Sequence, residues 1–325
     1  MSPARLPGGS LGSVSRRNIV ALGGGHGLAA TLQALRRVTD SLTAVVGVAD
    51  DGGSSGRLRA EFGVLPPGDL RMALAALCGD DAWGRTWERV IQHRFGGEGD
   101  LGGHSVGNLL ITALWEETGE AVTGLDWVAA LLGANGRVLP CSEVPLTITA
   151  EVLGHEPDRP DEVVEVRGQV EVATTPGDVI HIALDPPEPP ACPEAIAAVD
   201  AADAIVLGPG SWYTSVIPHL VIPDLARAIA DSSARRIVVL NLNPQVGETS
   251  GYAAHTYLDV LYNYLPDLRV DFVIGDERHV EDMAALKRSA ADLGAELFLM
   301  DVAKAEAAGV HDPQRLAVAF DTVLA

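Results

Sequence analysis

Asp50-Asp51-Gly52-Gly53-Ser54-Ser55-Gly56-Arg57 gathers two carboxylates, two hydroxyls and a guanidinium in one glycine-rich stretch. Neighbouring carboxylates at a strand end point to opposite sides. One of the pair is therefore expected to face a ligand hydroxyl or a Mg²⁺ while the other caps the following turn, so they do not form a single acid/base pair. Arg57 supplies the planar fork that a phosphate accepts. An Asx-turn with solvated charges accounts for the same residues without any ligand. Gly23-Gly24-Gly25-His26-Gly27-Leu28 offers something different, an unhindered main chain whose N–H groups can hold an anion at a helix start. Counted from Gly23, the dinucleotide fingerprint fails at Leu28; counted from Gly25, its G-x-G-x-x-A form survives in Gly25, Gly27 and Ala30. A tight strand–helix turn is the plain alternative.

Three further stretches bear on the same chemistry. Gly208-Pro209-Gly210-Ser211, followed by Thr214, repeats the glycine turn in the second half of the chain, and Asn243-Pro244-Gln245-Val246-Gly247-Glu248-Thr249 leaves another strand. Asp69 and Arg71 follow Pro66-Pro67-Gly68, where an aspartate serves as a helix cap or turns into the cleft. Gly103-His104-Ser105-Val106-Gly107 spells G-x-S-x-G, but a nucleophile elbow must directly follow a buried strand. Upstream stands Phe95 with a glycine-rich run, so Ser105 reads as an N-cap, with His104 and Asn108 presented to a ligand. A serine hydrolase acting through Ser105 is the remote alternative.

Composition removes several classes. The only lysines are Lys287 and Lys304 and no Gly-Lys pair occurs, which excludes a P-loop. A net charge of −21 argues against nucleic acid or an anionic membrane as partner. The histidines form no H-E-x-x-H or H-x-H pattern, so no zinc site is expected. Cys78, Cys141 and Cys192 are widely spaced and read as reduced thiols of a cytoplasmic protein. No apolar run approaches the ~20 residues of a membrane span, so no membrane insertion is expected.

These residues need a scaffold. Asn18 to Leu22 reads as a strand, Leu28 to Val38 has helical spacing, and Leu42 to Val48 fits a strand buried on both faces. This βαβ unit places its loops at the sheet edge where ligands sit. Helices follow at about 70–77, 83–95, 105–117 and 125–132, and Trp83, Trp87, Trp115 and Trp127 on them read as packing residues. Segments 145–153, 162–172 and 178–184 alternate and predict antiparallel strands. From 204 onward strands and helices alternate again. The expected fold is α/β, a Rossmann-like three-layer parallel sheet with a helical cap and a small antiparallel β insertion. Residues 1–16 are expected as a disordered tail, 17–136 and 185–325 as the nucleotide-binding core with its cap, and 137–184 as the insertion.

GGGHGL, VADDGGSSGRLR, LPPGDLR, HSVGNLL, GPGSWYTSVIP and NPQVGET, in this order, resemble the YvcK-like gluconeogenesis factors of the CofD-like superfamily, which also holds 2-phospho-L-lactate transferase. The resemblance spans about Asn18 to Tyr252. It implies a core that binds a nucleotide or a nucleotide-sugar such as UDP-N-acetylglucosamine, with roles in cell-wall and cell-shape control and in gluconeogenic growth. The motif positions are Gly24, Gly25, Gly27, Asp50, Asp51, Gly53, Ser54, Ser55, Arg57, Asp69, Arg71, His104, Ser105, Asn108, Gly208, Gly210, Ser211, Thr214 and Glu248. His26 stands where a small Thr or Ser is usual, and Val310 precedes His311-Asp312 where the family tends to carry Arg.

Two readings of function remain open. In the first the chain is a cytoplasmic nucleotide-sugar-binding regulator that requires no cofactor and has a regulatory protein partner or forms a homodimer. In the second it is a transferase resembling the phospholactyl enzyme. There Mg²⁺ with Asp50 or Asp51 helps the hydroxyl of a deazaflavin alcohol attack a nucleoside-diphosphate-linked phosphate.

Overall fold

Residues 15–307 and 309–325 are described by a computed structural model. The order of elements is β1 (Ser15–Gly23), α1 (Gly25–Leu35), β2 (Thr39–Val46), α2 (Gly53–Phe62), α3 (Pro67–Ala76), α4 (Ala82–Gln92), α5 (Val106–Thr118), α6 (Ala121–Leu132) and β3 (Arg137–Pro140). Next come β4 (Thr147–Leu153), β5 (Val163–Arg167), α7 (Gln169–Ala173), β6 (Asp178–Asp185), α8 (Pro193–Asp200) and β7 (Ala204–Leu207). After a π-helical turn at Trp212–Val216 the chain continues through α9 (Pro218–Val221), α10 (Pro223–Asp231), β8 (Arg235–Val239), α11 (Ala254–Tyr264), β9 (Phe272–Gly275), α12 (Met283–Asp292), β10 (Glu296–Leu299) and α13 (Pro313–Leu324).

Seven strands form a parallel sheet in the order β10-β9-β8-β7-β1-β2-β3, and β5-β4-β6 form a second, antiparallel sheet. The α/β class with a small antiparallel sheet is thus the observed architecture. Every residue of β7 is buried, as are Ile19 to Leu22 of β1, because both strands lie between helical layers. Each such Val, Ile or Leu contributes about 1.5–3 kcal/mol by leaving water. Leu28, Leu32 and Leu35 give α1 its buried stripe onto the sheet. The chain leaves β1 toward β2 on one side and returns through β7 on the other, so the order in which strands are added reverses between β1 and β7. That crevice is where ligands bind in such sheets.

Several expectations shift. Residues 1–14 of the expected tail lie outside the described residues, while Ser15 and Arg16 already belong to β1. Arg137–Pro140, assigned to the insertion, is the edge strand of the main sheet and pairs in parallel with β2. A four-residue strand is too short for its periodicity to reveal its partner. Segment 162–172 splits into β5 and α7, and α8, with few large apolar residues in its sequence PEAIAAVD, escaped prediction. Trp115 packs in the core, while Trp83 is 55% and Trp127 61% exposed, and Trp83 instead joins α4 to α6 by donating to the Leu131 carbonyl at 3.2 Å. No helix among the described residues is long and apolar enough to cross a membrane.

Candidate functional site

The turn after β1 and the turn after β7 touch. An ideal Cβ at Gly27 would lie 2.2 Å from the Pro209 carbonyl oxygen, so only glycine lets the start of α1 meet the second turn. Thr31 Oγ1 donates to the Gly208 carbonyl at 3.1 Å. Asn241, two residues beyond β8, brackets Gly210: its Oδ1 accepts from Gly210 N–H at 2.9 Å and its Nδ2 donates to Gly210 O at 2.8 Å. Beside this junction opens a cavity of about 180 Å³ walled by His26, Pro209, Asn241, Asn243, Gln245 and His311, among others.

Two buried acceptors of that wall lack a partner, Gln245 Oε1 and His311 Nε2. Burial pushes the His311 imidazole down to about 4, so the ring is neutral near pH 7. Its other nitrogen engages the Leu240 carbonyl, which leaves Nε2 as an acceptor for a ligand N–H or O–H. No lysine or arginine lines this cavity.

Asp69, at the start of α3, reaches back to the Gly25 N–H. Burial, reinforced by the charge of Asp50, pushes its carboxyl up to about 7, while Gly25 N–H and Arg71 oppose the shift. The first amide of α1 therefore already has an internal carboxyl. Asp50 Oδ1 accepts from Gly52 N–H at 2.9 Å, and Gly68 passes so close that a Cβ there would lie 2.7 Å from Asp50 Oδ2 and 2.3 Å from Ser55 Oγ. Asp51 turns away and accepts the N–H groups of Gln169 at 3.0 Å and Val170 at 3.1 Å, tying α7 to the core.

On the cap side a buried chain of hydrogen bonds runs through four side chains. Arg71 Nε donates to Asn108 Oδ1 at 2.9 Å, and Asn108 Nδ2 donates to Ser54 Oγ at 3.0 Å. Ser54 Oγ lies 2.9 Å from His104 Nδ1, and burial, then the charge of Arg57, pushes the His104 imidazole below its ordinary value. Ser105 Oγ accepts from Asn108 N–H at 3.3 Å and is the N-cap of α5. It follows no strand of the sheet, as the elbow reading requires, and His104 pairs with Ser54 instead.

The CofD family, described as 2-phospho-L-lactate transferase CofD, matches residues 19–314. This chain belongs to the CofD family. Among the gluconeogenesis factors within it, a Mycobacterium tuberculosis relative is 51% identical over 310 residues, covering 94% of this chain and 90% of that one. The "Gluconeogenesis factor" of Halalkalibacterium halodurans is 35% identical over 297 residues, covering 91% and 88%. A crystal structure of a UPF0052-family protein from Bacillus halodurans superposes with a TM-score of 0.82 at 32% identity, covering 94% of this chain and 98% of that one.

The CofD-family motifs separate into four places. His26 and Gly27 from the first turn and Gly210 from the second line the cavity. Asp50, Ser55 and Asp69 gather beside Gly24 and Gly25, with Gly53 opening α2. Ser54, Arg71, His104 and Asn108 form the cap-side chain, with Arg57 nearby. Thr214 and Glu248 meet elsewhere, where the buried Glu248 carboxyl lies against the Thr214 hydroxyl and the π-helical turn that follows Ser211. Burial pushes Glu248 up to about 7. Among the described residues, the metal-type cluster is Glu143, Cys192 and Glu194, none of them in these places. Asn241, Gln245 and His311 were not picked out as site residues from the sequence; an asparagine just past a buried strand was the available signal for the first.

Proposed function

We propose that this CofD-family chain binds a nucleotide-sugar of the UDP-N-acetylglucosamine type across the β1/β7 crevice, as a cytoplasmic regulator of cell-wall metabolism and of growth on gluconeogenic carbon. One observation carries the reading: the cavity at the reversal of strand order pairs two touching glycine turns with two unsatisfied buried acceptors. A nucleobase or sugar supplies the N–H and O–H groups that Gln245 Oε1 and His311 Nε2 lack, and buried acceptors left unpaired weaken a fold by about 1–3 kcal/mol each. The diphosphate belongs on the amides of His26 and Gly27 at the start of α1. Binding in this reading needs no metal. Titration calorimetry with UDP-N-acetylglucosamine, GDP and NAD tests it: sub-millimolar binding of the first, weakened tenfold or more in H311A, is expected, and no binding of any of the three overturns it.

The paired carboxylates favour a second reading, the transferase. Asp50 and Asp69 stand beside the glycine turn and repel each other. A Mg²⁺ held by one or two carboxylates and a substrate diphosphate relieves such repulsion. Product formation from a deazaflavin alcohol and a phospholactyl donor, dependent on Mg²⁺ and lost in D50N, would replace the first reading.

A further inference from the structure

In a chain of net charge −21, Arg36, Arg37, Arg137, Arg159, Arg167, Arg227, Arg278 and Arg315 form ion pairs with carboxylates. Around His104 three arginines gather that bond uncharged oxygens instead, as Arg59, Arg235 and Arg236 do singly elsewhere. Arg57 of α2 donates to the Gly102 carbonyl at 2.8 Å, and Arg94, just past α4, donates to the Gly103 carbonyl at 2.9 Å. Arg71 of α3 donates through Nε to the Asn108 amide oxygen at 2.9 Å. All three partners are uncharged oxygens, and none of the three arginines has an ion pair among the described residues. Arg71 is also only 4% exposed.

Burying a guanidinium beside another cation is unfavourable unless an anion joins them. Burial and then the charge of Arg94 push Arg71 down to about 10, and His104 is pressed toward neutrality by burial, Arg57 and Arg94. Acidic groups do face the cluster: Asp69 and Asp50 act on Arg71, and Glu61 acts on His104. Asp69 and Arg71, two apart on one helix, leave it on different sides, and Asp69 is engaged at Gly25. The fold makes room for the arrangement. Gly107 at the start of α5 is where a Cβ would lie 2.7 Å from Arg71 Cγ and 2.8 Å from its Cδ, so the arginine stem runs flat against that helix.

We propose that Arg57, Arg71 and Arg94 form a subsite on the helical cap for a compact oxyanion, a phosphoryl or carboxylate group of a second small molecule. Guanidinium forks bind either oxyanion bidentately. Arg57 and Arg94 are exposed on the cap, while Arg71 is buried beside them with its Nε held by Asn108, which Ser54 in turn engages. The subsite does not rest on the nucleotide reading, since none of these arginines lines the cavity at the β1/β7 crevice.

The test is calorimetric titration of the full chain with inorganic phosphate and, separately, with acetate, at fixed ionic strength so that screening is constant. Saturable phosphate binding weakened at least tenfold in both R57E and R94E is expected. R288E makes the same charge change at an exposed position on α12 and should retain wild-type phosphate affinity. Phosphate binding without acetate binding assigns a phosphoryl ligand, and acetate binding of equal or greater strength assigns a carboxylate. No saturable binding of either anion, or equal weakening by R288E, overturns the subsite. UDP-N-acetylglucosamine titrated into the same variants reads the crevice separately, so failure there and failure here remain distinguishable.

Discussion

Asp69 closes on Gly24 so tightly that a Cβ on the glycine would lie 2.4 Å from Oδ2 of the aspartate. The backbone at Gly24 is extended, φ −161, so any residue could adopt its conformation. Only the space is missing. G24A should therefore destabilise the chain by about 1–3 kcal/mol, the usual effect of overpacking. At 325 residues that lowers Tm by roughly 1–2 °C per kcal/mol. In a D69A background the same substitution should have less than half that effect, because the clashing oxygen has gone. A thermal-denaturation double-mutant cycle measures it, and additive effects would show that the contact is unimportant.

The same carboxyl makes stability fall with rising pH. Asp69 keeps its proton up to about 7 in the folded chain, against 3.8 as the ordinary value. Between those values the folded state holds a proton that the unfolded state has released, so unfolding becomes easier as pH rises from about 4 to about 7 and stays easier above it. The interval corresponds to roughly 4 kcal/mol at most. Glu248, raised from 4.5 to about 7, acts in the same direction over a narrower window. D69N and E248Q should each match wild type in urea denaturation at pH 4 and exceed it at pH 8. Coincident pH profiles of wild type and D69N would contradict this.

What could be read beforehand follows from how far each signal reaches along the chain. Strands buried on both faces, such as Ala204–Leu207, announce themselves as unbroken apolar runs, and both glycine turns could be placed at the ligand edge from those strands alone. The pairing of Ser54 with His104 could not, because fifty residues and the whole of α3 and α4 lie between them and no spacing records that contact. The same holds for His311, which reaches the cavity of the first turn only through the last crossover of the fold. That one of Asp50 and Asp51 caps the following turn was legible, and Asp50 does so at Gly52; that Asp51 caps α7 was not, since its partner belongs to the inserted segment.

Ser105 offers a clean separation of roles. As the N-cap of α5 its hydroxyl accepts one otherwise unpaired amide, and S105A should lower stability by about 1 kcal/mol. No fluorophosphonate labelling of wild type or S105A is expected, because Ser105 has no paired base in this arrangement. Stoichiometric labelling abolished by S105A would restore the hydrolase reading.

Asn241 is the residue whose loss should loosen the second glycine turn without touching a ligand-bound proton. Its side chain satisfies both the N–H and the C=O of Gly210, at 2.9 and 2.8 Å. N241A leaves both groups unpaired in the cavity wall, at a cost of about 1–3 kcal/mol for each that stays dry. N241D keeps the acceptor for Gly210 N–H but sets a carboxylate against Gly210 O, so it should bind nucleotide-sugar no better than N241A. Affinity for UDP-N-acetylglucosamine should drop at least tenfold in both variants, while phosphate binding at the arginines of the cap persists, because Gly210 belongs to one place and Arg94 to the other. Parallel loss of both affinities in N241A would mean that the crevice and the cap act as one site.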